Sequence, residues 1–286
     1  MFDPAQLAAL AAVHRRGSFE LAAAELHVTP SAISQRIKAL EEAVGSLLVI
    51  RGQPCTATQT GLRLVRHHDE VALLTQTLAR DLRLPTAPAT LRIAINADSL
   101  ATFAIPALAA VPGYLYDIVI DDQDFSQDLL RRGEVAAAIT SQPGPLQGCE
   151  TVPLGQMRFR AAARPDFAQH WFPQGLTPQA FAQAPSLRFN DKDRLQQIWA
   201  ARFGATAPLP SHRLASAHGF VDACLAGLGW ALAPEPLLAP HFATGRLRDL
   251  CPDQPLDLPL YWQFNRLTAA ATAPLTRALQ KAAASL

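Results

Sequence analysis

From Phe19 to Val44, apolar residues recur at helical spacing in two short runs separated by a three-residue break. The first run carries Phe19, Leu21, Ala22, Ala23 and Leu26 behind Ser18, whose hydroxyl suits an N-cap. After His27-Val28-Thr29 comes a second start signal, with Thr29 as N-cap and Pro30 at the first helical position, where its missing N–H costs nothing. The second run places Ala32, Ile33, Ile37, Leu40 and Val44 on an inward stripe and leaves Ser31, Ser34, Gln35, Arg36 and Lys38 outside. Two helices joined this tightly predict a helix-turn-helix, and small polar residues near the start of the second suit a helix entering a DNA major groove. The residues Leu47 to Arg51, then Gln53-Pro54 and Thr56, have the β and turn character of a two-stranded wing, with Arg51 placed to meet a phosphate. Asp3-Pro4 opens an earlier helix with Leu7, Leu10, Ala11 and His14, and Thr58 caps a later one.

From Thr58 to about Leu84 the chain lacks proline, and Leu64, Val71, Leu74, Leu78 and Leu82 form a stripe for a partner helix. Pro85-Thr86-Ala87-Pro88 ends that helix and reads as a hinge. The expected division is a winged helix-turn-helix at 1–58, a linker helix and hinge at 59–88, and a third unit at 89–286.

Beyond the hinge, strands alternate with helices. Strands are expected at Leu91–Ile95, Tyr116–Ile120 and Val135–Ile139, with helices at Ser99–Ala110 and Ser126–Arg132 between them. Such alternation predicts a parallel sheet with helices on both faces and ligands at the carboxyl ends of the strands. A second set begins near Met157–Ala161 and continues near Ser186–Phe189 and Trp230–Ala233; Leu260–Phe264 and a helix from Pro274 to Ala284 return to the first half. The fold class is therefore α/β overall: an all-α winged helix-turn-helix with a linker helix, then two α/β lobes of periplasmic-binding-protein type. Lobe I is expected at about 89–157 and 264–286 and lobe II at about 158–263, with a cleft that closes on a ligand.

The strand ends sketch that cleft. Asn96-Ala97-Asp98-Ser99 joins the first strand to its helix, which points the N–H groups after Asp98 and the hydroxyls of Ser99 and Thr102 at a carboxylate. Asp121, Asp122 and Asp124 follow the second strand, Asn190-Asp191-Lys192-Asp193 follow one in the other lobe, and Ser216-Ala217-His218 precede a helix. Taken singly, each of these aspartates reads first as a turn former or cap, its commonest role. As a cluster they suit a cationic ligand that carries its own carboxylate.

Composition narrows the classes. At 286 residues the chain is long enough for two or three domains, each with a core. The start Met1-Phe2-Asp3-Pro4 has no secretory pattern and no apolar run reaches membrane-spanning length, so a cytoplasmic protein with no membrane partner is expected. Cys55, Cys149, Cys224 and Cys251 are scattered without CxxC spacing and read as reduced thiols; no metal or other cofactor is expected. The net charge of +1 is low for a nucleic-acid binder, but a local patch suffices, and Arg36, Lys38, Arg51, Arg63 and Arg66 supply one per subunit. An enzyme is the competing class, yet no nucleophile elbow, metal motif, Walker sequence or dinucleotide fingerprint frames Ser99, His218 or Asp122.

The ordered run Ser18-Phe19, Ala22-Ala23, Leu26, Val28-Thr29, Ser31-Ala32, Ile33-Ser34, Ile37, Leu40-Glu41, Leu48, Arg51, Thr58 and Gly61 resembles the N-terminal domain of LysR-type transcriptional regulators. Pro30 stands where that family often has Gln. The resemblance implies double-stranded DNA, a small effector and a second copy of the chain as partners, in a homodimer or a tetramer, with RNA polymerase as a further partner. Leu91 to Phe103, Leu130-Arg131-Arg132-Gly133-Glu134-Val135 and Leu260-Tyr261-Trp262 are similar to the branch of the family that senses lysine and arginine and controls amino-acid export genes. Ala217-His218-Gly219-Phe220 departs from the Ser-Glu-Ala-Phe of that branch, so a different effector, another amino acid or an organic acid, is the alternative, and His218 is either a ligand contact or a capped loop histidine. The expected DNA contacts are Pro30, Ser31, Ser34, Gln35, Arg36, Lys38 and Arg51; the expected effector contacts are Asp98, Ser99, Thr102, Asp122, Asp124, Asn190, Asp191, Ser216 and His218.

Overall fold

The computed structural model describes residues 2–85, 87–121, 126–284 and 286. Asp122 and Asp124 lie outside the described residues.

The N-terminal unit is built on caps. Asp3 accepts the Ala5 N–H at 2.7 Å and opens α1 (Pro4–Arg16), which Gly17 closes in the left-handed conformation. Ser18 caps α2 (Phe19–Glu25), and Thr29 caps α3 (Pro30–Val44) by accepting the Ala32 N–H. Ile33, Ile37 and Leu40 of α3 are buried with Leu7, Leu10 and Val13 of α1 in one small core. The wing pairs β1 (Val49–Ile50) antiparallel with β2 (Thr56–Ala57). Glu41 fixes its base by accepting the N–H groups of Leu48 and Val49. Thr58 caps α4 (Gln59–Asp81), which ends a turn short of the expected Leu84. Gly61 is required at that start, because a Cβ there would lie 2.2 Å from the Leu48 carbonyl oxygen.

Two bodies share α4. Leu64 and Val65 belong to the N-terminal core, whereas Leu73 is buried in the core of the second unit. The Gln76 amide donates to the Gly113 carbonyl, Asn265 donates to Glu70, and the Arg80 guanidinium donates to the Tyr114 hydroxyl at 2.8 Å. Of the stripe read from the sequence, Leu64 is covered by the N-terminal core, whereas Val71, Leu74, Leu78 and Leu82 remain 45% to 60% exposed among the described residues. Arg66, expected in a DNA-facing patch, instead bonds Glu70 at 2.8 Å and packs over Gly133, whose φ of +73° and missing Cβ make room for it. It faces the second unit because it lies on the same side of α4 as Leu73, two helical turns earlier.

In the second unit, β3 (Ala89–Ile95) leads into a continuous helical stretch made of α5 (Ala97–Ser99), a π-helical turn (Leu100–Ala104) and α6 (Ile105–Ala109). β4 (Tyr114–Ile120), α7 (Ser126–Arg132) and β5 (Ala137–Thr140) follow, and β3 pairs in parallel with both β4 and β5. The expected all-parallel sheet needs correction from here on. β6 (Cys149–Ala163) and β11 (Leu256–Asn265) are long antiparallel strands; with β9 (Ala231–Pro234) and β10 (Arg248–Asp249) the sheet order is β10-β6-β11-β5-β3-β4, and β9 also pairs with β6. The strands expected near Met157–Ala161 and at Leu260–Phe264 are both longer than expected: Pro153, Gly155 and Pro259 stand within these ladders, where the register shifts between Leu260 and Tyr261. One end of β11 pairs with β5, and the other pairs only with β6, so a single sheet runs through both halves.

The remaining elements build the second half: α8 (Pro165–Trp171), α9 (Pro178–Phe181), β7 (Ser186–Arg188), α10 (Leu195–Ala201), β8 (Ser211–Arg213), α11 (Ala217–Ala226), β9 (Ala231–Pro234), α12 (Glu235–Ala243) and β10 (Arg248–Asp249). Phe181, Trp199, Phe203 and Trp230 stack with ring centroids 4.9 to 6.0 Å apart and anchor that half. After a short 3-10 turn, α13 (Ala269–Ala283) packs back on α6 and β6. It starts a turn before the expected Pro274, which leaves the Ala270 carbonyl without its i+4 donor. Among the described residues, no helix is long and apolar enough to cross a membrane.

Candidate DNA-reading surface and effector cleft

The exposed face of α3 carries Pro30, Ser31, Gln35 and Lys38, with Ser34 and Arg36 half-buried beside them. Lys38 has a 78% exposed side chain and only a long i,i+4 contact of 3.8 Å to Glu42, so its ammonium is available to a phosphate. Arg51 projects from the end of β1, its guanidinium 5.2 Å above the Phe19 ring. That contact places a cation beside the first turn of α2 and next to the wing. Six of the seven residues expected at DNA thus lie on α3 and the seventh, Arg51, follows β1 of the wing.

The effector residues are less unified. At the carboxyl end of β3, Asn96 caps α5: its Oδ1 accepts the Ser99 N–H at 2.7 Å, while its Nδ2 has no hydrogen-bond partner among the described residues although the residue is 4% exposed. Ser99 is fully buried and its Oγ has no partner among the described residues. Thr102 donates back to the Asp98 carbonyl at 2.7 Å. Asn96, Asp98 and Asp121 from one lobe face Lys192, Asp193, Arg194 and Gln196 from the other around a cavity of about 110 Å³. A more open hollow of about 490 Å³ adjoins it at Ala97, Phe189 and Ala217 and is lined by Thr102, Ser216 and His218. Ser216 caps α11 through the Gly219 N–H, and His218 stands exposed in that helix's first turn.

The turn after β7 sorts its own residues. Asn190 accepts the N–H groups of Lys192 and Asp193 and so acts as a turn former. Asp191 points away from the cavity, paired with Arg188 and Arg213 at 3.1 and 2.7 Å. Asp193 turns inward. Burial pushes its carboxyl above the ordinary aspartate range, while the N–H groups of Phe189 and Leu195 at 2.8 and 3.1 Å act in the opposite direction. Gln196 is 4% exposed and its amide interacts with the Asp193 carboxyl, although neither of its polar atoms makes a hydrogen bond of ordinary geometry among the described residues. Lys192 and Asp121 form an ion pair of 3.0 Å between the lobes.

Asp193 and Lys192 sat in a run already singled out, but Gln196 carried no signal: it lies in the first turn of a short helix with no motif around it. The Asp121–Lys192 pair joins residues 71 positions apart. A third polar cluster lies where the N-terminal unit meets the second. Arg15 bonds Asp69 at 3.3 Å, with Arg92, Asp117 and Glu134 nearby. Burial raises the Asp69 carboxyl to about 6 against the opposing pull of Arg15 and Arg92, and burial lowers the His14 imidazole.

These features have counterparts in known proteins. Residues 4–62 match the family described as bacterial regulatory helix-turn-helix protein, lysR family, and residues 86–284 match the LysR substrate binding domain. The chain is 42% identical to the HTH-type transcriptional regulator LysG of Mycobacterium bovis over 99% of its own length and 94% of that protein. It is 40% identical to ArgP of Pseudomonas fluorescens over 99% of its length and 98% of that protein. Among solved structures, ArgP from Mycobacterium tuberculosis superimposes with a TM-score of 0.84 at 41% identity, covering 100% of this chain and 98% of that one. Full-length LysG from Corynebacterium glutamicum with bound effector Arg gives 0.70 at 38% identity, covering 99% and 98%. A winged helix-turn-helix joined through one long helix to a two-lobed cleft, matched over nearly its whole length, makes this chain a member of the LysR family of transcriptional regulators.

Proposed function

We propose that this regulator senses a basic amino acid, arginine or lysine, in the cleft between its lobes and passes that signal to α3 through α4. The observation that carries the reading is the cleft itself: Asp98, Asp121 and Asp193 line one cavity together with Asn96, whose Nδ2 has no partner among the described residues, and the buried Gln196. A partly desolvated cation needs a carboxylate partner, and an unpaired buried amide favours a ligand that bonds to it. The relative solved with bound effector Arg supports the same ligand class. In this reading the effector's carboxylate lies near Ser99 and Thr102, and Asp122 and Asp124, outside the described residues, remain candidates for its cation together with Asp121. Asn190, Asp191, Ser216 and His218 then act around the rim.

The organisation proposed is a winged helix-turn-helix at 1–58, a linker helix and hinge at 59–88 and a two-lobed effector domain at 89–286. Ser34 and Gln35, with Pro30 and Ser31 ahead of them, meet base edges, while Arg36, Lys38 and Arg51 hold phosphates. Two copies pair along the exposed stripe of α4. The protein acts in the cytoplasm as a non-enzymatic regulator of amino-acid export or metabolism genes. Calorimetry of the full chain with the twenty amino acids, followed by a gel shift on a duplex from its own promoter region with and without the best ligand, tests this. A preference for arginine or lysine that also alters operator binding is expected. Preference for an acidic or neutral ligand refutes the effector assignment.

A further inference from the structure

The cleft contains a cation of the protein's own beside one of the carboxylates that the proposed ligand uses. Asp121 follows β4 in one lobe, Lys192 lies in the turn after β7 in the other, and Nζ stands 3.0 Å from Oδ1. Both residues line the 110 Å³ cavity. The lysine is held there by design of the turn: its backbone N–H and that of Asp193 both donate to Asn190 Oδ1, at 2.7 and 3.0 Å. The ammonium is 45% exposed and the carboxylate 23%, so water reaches the pair from one side. Asn96 and Gln196 line the same cavity and are both more than nine-tenths buried; among the described residues Asn96 Nδ2 has no partner, and the Gln196 amide, which interacts with Asp193, makes no hydrogen bond of ordinary geometry. The cavity therefore holds an unsatisfied amide suited to a polar ligand, together with a carboxylate already engaged by a primary ammonium.

We infer that Lys192 is an intramolecular stand-in for the effector's side-chain cation: it occupies Asp121 in the ligand-free protein, and a basic amino acid binds by displacing it. The inference rests on the reading of the cleft as a basic amino-acid site and adds what sets its threshold. Lys192 makes each basic ligand compete with an internal cation, whereas a neutral analogue that never engages Asp121 meets no such competition. A partly exposed ion pair shifts an equilibrium by only about two- to fivefold, so the stand-in tunes affinity without blocking the site. Because the pair spans the two lobes, its exchange for a ligand also replaces a contact that holds them in one arrangement.

The test is calorimetry of the full chain with arginine and with citrulline, which has nearly the same shape and an uncharged side chain. Lys192→Met is expected to tighten arginine binding about two- to fivefold and to leave citrulline unchanged, while Lys192→Arg keeps the wild-type constants. In an Asp121→Asn background, Lys192→Met should no longer change arginine binding, because the competition has been removed. Weaker arginine binding by Lys192→Met would show that the ammonium instead contacts the ligand and would overturn the inference. An equal gain for both ligands overturns it as well, since that reports a general opening of the site. If the wild-type chain binds neither arginine nor lysine, the basic amino-acid reading fails and the stand-in with it. If arginine binds and Lys192→Met has no effect, only the stand-in fails.

Discussion

Truncating the exposed stripe of α4 tests how this chain assembles. Val71, Leu74, Leu78 and Leu82 are 45%, 46%, 59% and 60% exposed, while Leu73, one residue from Leu74, is 1% exposed in the effector-domain core. Fully burying a leucine is worth roughly 1.5–3 kcal/mol, so covering the exposed half of each side chain yields about 1 kcal/mol. Replacing Leu74 and Leu78 by Ala removes that gain at two positions on each of two helices, about 4 kcal/mol in all, which is close to a thousandfold in the dimerisation constant. Within the single chain the same changes should cost little, because these side chains have few neighbours to lose. Leu73→Ala is the internal control: it leaves a cavity in a packed core and should lower unfolding stability by about 2–5 kcal/mol with a smaller effect on association. Sedimentation equilibrium measures the association, and urea unfolding at a concentration where the variants are monomeric measures the second quantity. A Leu74→Ala, Leu78→Ala protein that remains dimeric at nanomolar concentration would refute the reasoning and place the interface on another surface.

Three further outcomes are expected. Gln35→Ala should cost on the order of 1–3 kcal/mol on the cognate operator and relax specificity, whereas Lys38→Ala should weaken all duplexes and flatten the salt slope; an equal loss on random DNA for Gln35→Ala contradicts the base-reading role. The Asp69 carboxyl is raised from 3.8 to about 6 by burial, so the folded chain binds the proton more tightly than the unfolded chain. Its contribution to stability is therefore greatest below that window and falls as the pH rises through it; the difference in unfolding midpoint between wild type and Asp69→Asn should change between pH 4 and 6, and a difference independent of pH counts against it. Gly61→Ala would drive a Cβ into the Leu48 carbonyl and should destabilise the N-terminal unit by about 1–3 kcal/mol, seen as a lower melting temperature; an unchanged melt would show that the wing yields freely.

Local chemistry carried the sequence reading furthest where one residue settles a boundary. Ser18, Thr29 and Thr58 each cap the helix that their position announced, and α7 runs from Ser126 to Arg132 as its pattern indicated. Reading failed where long-range pairing overrides local signals. The strands expected near Met157–Ala161 and at Leu260–Phe264 are too short, because β6 and β11 run on through Pro153, Gly155 and Pro259, each strand satisfying the other's backbone groups. Arg66 looked like part of a basic patch, but its direction is set by docking of α4 on the second unit, which no local pattern encodes. The cleft was legible as a set of strand ends. Which aspartate turns in and which turns out was not: Asp191 and Asp193 are two apart, and Arg188 and Arg213 hold the first outside while two backbone N–H groups hold the second inside.

The shift in register between Leu260 and Tyr261 has a mechanical consequence. Opposite it, Gly155 adopts a φ of +120° and Leu154 is the extra residue, at the place where β11 loses β5 as a neighbour and continues on β6 alone. The two lobes therefore hang on a narrow ribbon of two strands with one compliant point, more like a torsion bar than a door on loose straps. Rotation there twists a ladder whose hydrogen bonds stay made, so strain accumulates smoothly with angle and is returned when the load is removed. Such a joint favours small, reversible, elastic excursions, and its stiffness is an inherited property of the sheet that changes at residue 155 can retune without touching either the ligand or the DNA.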